Sequence, residues 1–152
     1  MPLTKLNSAS VIERLPVGSV LQTVEAQSSA AETLPNTSFA DVNGTSISIT
    51  PSSTSSKILI MWNCGGMGTG VNNAVDFKVF RDSTEVRFIG RYGYITTGWG
   101  AVPIAIQYLD SPTTTSAITY KLQCKTQNDG DFRICPVVGT DGMVVIAQEI
   151  KG

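Results

Sequence analysis

Apolar and polar residues alternate along much of this chain with a period of two. From Ile118 to Lys125, the residues Ile118, Tyr120, Leu122 and Cys124 fall on one side, and Thr119, Lys121, Gln123 and Lys125 on the other. A strand with that pattern has one dry face and one wet face. Val75, Phe77 and Val79 oppose Asp76 and Lys78 in the same way, until Phe80 breaks the strictness. From Gly18 onward nearly every short segment alternates or is rich in Val, Ile, Thr and aromatics, and closes on Gly, Pro, Asn, Asp or Ser. The pattern predicts strands over 19–27, 37–42, 45–50, 57–64, 74–81, 84–90, 101–109, 117–127, 132–137 and 143–150. Asn43-Gly44, Asp129-Gly130 and Asp141-Gly142 are pairs that tolerate the positive φ of tight hairpins, and they are expected to be turns. No ten-residue stretch reads as a helix.

Short strands with one buried face each close only as two packed sheets or a barrel, since one open sheet would leave its apolar face wet. The expected fold is all-β: a two-sheet β-sandwich of the jelly-roll kind over 18–152. Residues 1–17, "MPLTKLNSASVIERLPV", mix isolated apolar residues with polar ones and end near Pro16. They lack the length and period of a stable helix and are read as an extended N-terminal arm. Leu3, Leu6, Val11, Ile12 and Leu15 are its candidate contacts with a neighbouring subunit or a larger shell, each able to contribute about 1.5–3 kcal/mol before ordering costs.

Charge and composition narrow the chemistry. Among 152 residues only 15% are charged, the formal net charge is −1 and there is no basic block, so neither nucleic acid nor an anionic membrane is an expected partner. The longest apolar run, Ile58 to Trp62, is far too short to cross a bilayer, and the N-terminus lacks a signal-peptide pattern. The absence of histidine removes Ser-His-Asp and Cys-His nucleophiles and the zinc sets that use imidazole. Cys64, Cys124 and Cys135 are not spaced as C-x-x-C and read as reduced, partly buried thiols.

Two loops look like ligand sites and are not read as such. "GGMGTG", Gly65 to Gly70, has no following Lys-Ser/Thr and no helix after it, so a flexible inter-strand loop is expected. "NDGD", Asn128 to Asp131, lacks the spacing and terminal Glu of a calcium loop and reads as a polar hairpin. No cofactor or metal is assigned. The acidic residues form no preferred pair, so a two-carboxylate glycan depolymerase is not expected and the chain is not read as an enzyme.

Two features invite an interaction reading. The runs "PSSTSS" and "SPTTTS" tolerate extended backbone and carry no charge, which suits bends close to neighbouring subunits. "RFIGRYGYITTGWG" places Tyr92, Tyr94 and Trp99 among glycines, behind Arg87 and Arg91. Such rings either stack on sugar faces and anchor interfaces, or fill the core or a trimer axis; the second is the expectation.

The phrases "GSVLQTVEAQ", "SISITPSSTSSKILI", "YLDSPTTTSAITYKLQ" and "MVVIAQEI", spread from Gly18 to Ile150, resemble virion structural proteins of tailed phages, especially those of cyanobacteria and other marine bacteria. The opening "MPLTKLNSAS" also resembles the starts of fibre proteins. The resemblance implies a jelly roll that trimerises, either as a capsid decoration (cement) protein or as the distal domain of a tail fibre. The absence of a long repetitive shaft favours the capsid form, with itself and the major capsid protein or other virion proteins as partners, over a short tail fibre or a head-tail appendage. A glycan would be a partner only under the fibre alternative.

Overall fold

The unbroken apolar run Ile58–Trp62 opens the longest strand of the molecule, β5 (Lys57–Thr69). The structure, a computed structural model, describes residues 13–29, 32–34, 38–69, 73–96, 99–128, 132–134 and 142–152. Along β5 the side chains of Ile58, Ile60 and Trp62 are fully buried, while Leu59 and Met61 face the other way and are half-buried.

β5 is the spine of the first sheet. Its first half pairs with β11 (Met143–Ile150) and its second half with β10 (Phe132–Ile134). β1 (Val20–Ser28) then pairs with β11, and β2 (Glu32–Leu34) with β10. β1 and β2 are therefore two pieces of one lane, as are β10 and β11. On its other edge β5 pairs along its whole length with β8 (Trp99–Asp110). The second sheet is built around β9 (Ile118–Thr126). β3 (Ala40–Asp41) and β4 (Ile47–Ile49) share one of its edges, and β6 (Asn73–Arg81) takes the other and pairs onward with β7 (Thr84–Ile95).

Every pairing among the described residues is antiparallel. Numbered along the chain as eight lanes, the first sheet reads 1-8-3-6 and the second 2-7-4-5. That is the double Greek-key order of a jelly roll. The expected sandwich is therefore present, and its strand order follows from the pairing register. Between the sheets lies one continuous core, with Trp62, Tyr120, Phe77, Ile60, Leu122 and Val145 fully buried.

Several expectations change. Gly65 to Thr69 are strand, because β8 and β10 pair with this glycine-rich backbone on both sides. Glycine weakens a strand by roughly 0.5–1 kcal/mol, a cost that two flanking ladders override. Asn43-Gly44 is no hairpin, since β3 and β4 lie end to end against the same partner. It is an interruption within one lane, with Gly44 at φ 74°. Thr45 bridges it: its hydroxyl donates to Val42 O (2.7 Å) and accepts from Leu122 N (3.1 Å), and its carbonyl accepts from Trp62 Nε1 (2.8 Å). Asp129-Gly130 lies outside the described residues, as do Asp141 and Cys135. Cys124 is buried and Cys64 packs against the core. Glu13 and Arg14, within the expected arm, have helical backbone.

Candidate interaction surfaces

One end of the sandwich is closed by a row of inward-facing residues on the first sheet: Gln22, Glu149, Ile58 and Asp110, neighbours in register. Two acids thus stand in the interior, Glu149 at 1% exposure and Asp110 at 6%. Glu149 Oε1 accepts from Ser52 N (2.7 Å), Ser52 Oγ (2.6 Å) and Ser56 Oγ (2.6 Å), and Oε2 accepts from Gln22 Nε2 (2.6 Å). Burial opposes ionisation of this carboxyl, but the four donors outweigh it and hold its pKa below the ordinary value. Asp110 Oδ2 accepts from Tyr120 Oη and Arg81 Nη1, each at 2.8 Å, which ties the two sheets together. Burial, reinforced by the bond to Asp110, pushes the Tyr120 phenol far up.

The Ser/Thr run 52–56 therefore has a purpose different from the one expected. Its hydroxyls solvate an internal carboxylate and thereby pin the β4–β5 connection. The run at 113–116 bonds locally, with Ser116 N donating to Thr114 Oγ1 (3.1 Å). A cleft of about 390 Å³ opens beside Glu149, lined by Ser52, Ser53, Ser55, Glu13 and Lys151. Lys151 Nζ reaches Glu13 O (3.0 Å) and Leu15 O (2.6 Å), and Gly18 N donates to Lys151 O (2.8 Å). Residues 13–18 are thereby fastened to the domain.

The aromatic segment is divided by irregular register. Between Ile89 (opposite Phe77) and Tyr92 (opposite Val75), β7 carries an extra residue, with Arg91 at φ 57°. The buried Asp76 supports this bulge: its Oδ1 accepts from Arg91 N (2.9 Å) and Gln127 Nε2 (2.7 Å). Tyr92 is turned inward, edge-on to Phe77 at 5.7 Å. Its hydroxyl donates to Pro103 O (2.8 Å) and accepts from Ala105 N (2.9 Å), satisfying the outer edge of β8. A second irregularity follows, and Tyr94 stands 49% exposed with Arg91 over its ring at 5.9 Å.

The two outward faces differ in chemistry. On the second sheet, Lys78 pairs with Glu85 (2.6 Å), Lys121 with Asp41 (2.7 Å) and Lys125 with Asp76 (3.8 Å). Hydrogen bonds from Lys121 and Gln123 hold the Asp41 carboxyl below its ordinary pKa. Phe39 lies beneath Lys78 and Lys125, at 4.4 and 5.2 Å, and meets the exposed Phe88 edge-on at 6.4 Å. On the first sheet, the outward rows across β1, β11, β5 and β8 read Thr23–Gln148–Leu59–Leu109, then Glu25–Ile146–Met61–Gln107, then Gln27–Val144–Asn63–Ala105. Ile150 and Lys57 form the next row. Glu25 and Lys57 are the ionisable groups in these rows.

Of the residues singled out in the sequence, Leu3, Leu6, Val11 and Ile12 lie outside the described residues. Leu15 is half-buried beside Lys151. Tyr92 and Tyr94 are not brought together on one face, and Trp99 is described only as strand backbone opposite Thr69. Sequence reasoning missed the internal acids Asp110 and Glu149 and the neutral outward face. The signal for that face was present in "ILIMW" and "MVVI", where both parities are apolar.

No protein-family model matches the chain, and no curated protein matches it by sequence. Loose structural likeness is found to a mutant VP2 protein of infectious bursal disease virus in derived T=1 particles, with 10% identity and TM-score 0.46, over 84% of this chain and 36% of that one. The structure of infectious bursal disease virus Gx strain gives 10% identity and TM-score 0.44, over 87% and 40%. The VP2 subviral particle of the same virus gives 13% and 0.41, over 85% and 38%. The chain thus spans at most two-fifths of the length of these three. The class of this protein, an eight-lane jelly roll, rests on its own strand pairing.

Proposed function

We propose that this chain is a virion structural protein: a tailed-phage capsid decoration or cement protein that trimerises and binds the assembled shell to stabilise it. Its partners are copies of itself and the major capsid protein or another virion protein, and it resides on the outer capsid surface. Residues 1–17 serve as the attachment arm. The observation that supports this reading is the division of the outward faces, near-neutral with apolar residues along β5 and β11 on one sheet, charged on the other. It sits over an interior whose two acids, Glu149 and Asp110, are engaged in holding the fold, as is Asp76 on the outer side of the second sheet. Surface chemistry of this kind serves association, and no described carboxylate pair stands ready for a substrate.

The test is quantitative mass spectrometry of purified virions. A capsid lattice protein is present in hundreds of copies, and a count near a dozen would replace the cement reading with a tail appendage. A second reading, receptor or glycan recognition at a fibre tip, is favoured by the exposed rings of Phe88 and Tyr94 beside Lys78 and Arg91. It predicts that the isolated protein binds host cells and that Tyr94→Ala abolishes the binding.

A further inference from the structure

Ile58–Trp62 in β5 and Met143–Ala147 in β11 are apolar on both parities, as strand segments covered on both faces are. Their inward residues fill the core, but among the described residues nothing covers the outward ones. Leu59, Met61, Val144, Ile146 and Ile150 are half-buried, and Leu109 is 52% exposed. We infer that copies of this chain meet in pairs through this outward face of the first sheet, each copy turning it toward the same face of one other copy. The inference rests on the assembly reading above and names a two-fold contact, which joins copies belonging to neighbouring trimers.

Two observations favour a second copy as the occupant. The first is charge. A face that meets its own image must be close to neutral, because like charges are set against each other. The ionisable groups in these rows, Glu25 and Lys57, have opposite signs, and Glu25 is already hydrogen-bonded by Gln27. A partner of strong charge would find no complement here, whereas the second sheet offers its lysines and acids elsewhere. The second is shape. A twisted sheet packs on another of like twist about 10 Å away, and identical chains supply identical twists.

Area sets the strength of the contact. Four lanes about 4.8 Å apart, with roughly seven residues at about 3.3 Å each, make a face of about 450 Å² per copy. Two such faces give about 900 Å², short of the roughly 1,600 Å² of a standard stable interface. The contact is therefore concentration-dependent in isolated protein and is completed by further contacts on an assembled particle.

Sedimentation velocity of the full chain over a dilution series tests this without any shell present. Mass is expected to rise with concentration in the unaltered protein. Ile146→Arg and Leu109→Glu, which place a charge in the contact, should weaken association by on the order of 100-fold. Their far-UV spectra should be unchanged, because both side chains point away from the core. Ser48→Arg, on the exposed outer side of the second sheet, should associate as the unaltered protein does. Association that is equal in all four proteins would overturn the inference, as would an unaltered protein that stays monomeric at every concentration. Association that appears only after residues 1–12 are removed would overturn it in favour of the arm as the occupant. Shell binding is measured separately: loss of self-association with retained shell binding would leave the cement reading standing, and the reverse would remove it.

Discussion

Glu149 illustrates how one residue can be misjudged from sequence. Its neighbours Val145 and Ala147 on the same parity are core residues, so alternation places Glu149 inside a dry sandwich. An unpaired carboxylate there would be severely unfavourable. The solution is distant in sequence: Ser52 and Ser56 lie more than ninety positions away, yet their hydroxyls and one main-chain N–H supply the missing water. Glu149→Ala should cost about 2–4 kcal/mol, since it strands several buried donors, and should lower Tm by roughly 5–15 °C. The pH dependence has a definite sign. Because the folded pKa is depressed, the unfolded chain binds the proton more readily, and stability rises with pH in that window. The contribution is complete above the ordinary value of 4.5 and is lost as pH falls through the folded value. Urea unfolding across that range should show the loss, and Glu149→Gln should flatten it.

At the scale of elements, the strands were readable and their ends were not. The alternation of β9 and β11 follows directly from residue identity. The extension of β5 through Gly65–Thr69 does not, because glycine has little preference of its own and only ladders on both sides make it a strand. Nor does parity survive a bulge. Tyr92 and Tyr94 share a parity, yet two irregularities in β7 send one inward and leave the other exposed. Tyr92 then becomes the tie between the edge strands of the two sheets. Tyr92→Phe keeps the ring packing and removes the hydroxyl that serves Pro103 O and Ala105 N. It should cost about 1–2 kcal/mol. Amide hydrogen exchange should accelerate at Ala105 while β9 remains protected. Equal protection in both proteins would mean that solvent replaces the hydroxyl at no cost.

For the whole molecule, the two sheets present different outer chemistry, and this asymmetry orients any assembly. The end that carries Ser52–Ser56 and Lys151 also holds the Glu13–Gly18 segment, the described part of the proposed arm. Because residues 13–18 are fastened there, a deletion that tests attachment should stop at residue 12. Removing residues 1–12 should leave Tm within about 1 °C, since residues 13–18 have their own bonds to the domain. It should also abolish co-sedimentation with assembled capsids, and full retention of shell binding would show that the arm has no part in attachment.

The amino-acid sequence by itself determined an all-β chain closed as two packed sheets or a barrel, because alternation at period two and polar breaks between apolar runs leave no open sheet that keeps one face of each strand dry. It also determined that imidazole chemistry is absent. Only the tertiary structure decided which half-strands share a lane, which hydroxyls solvate Glu149, which of two tyrosines faces solvent and which outer face is neutral. Those are relations between residues far apart along the chain, set by hydrogen-bond register across neighbouring strands, and register is a property of pairs that no single segment encodes.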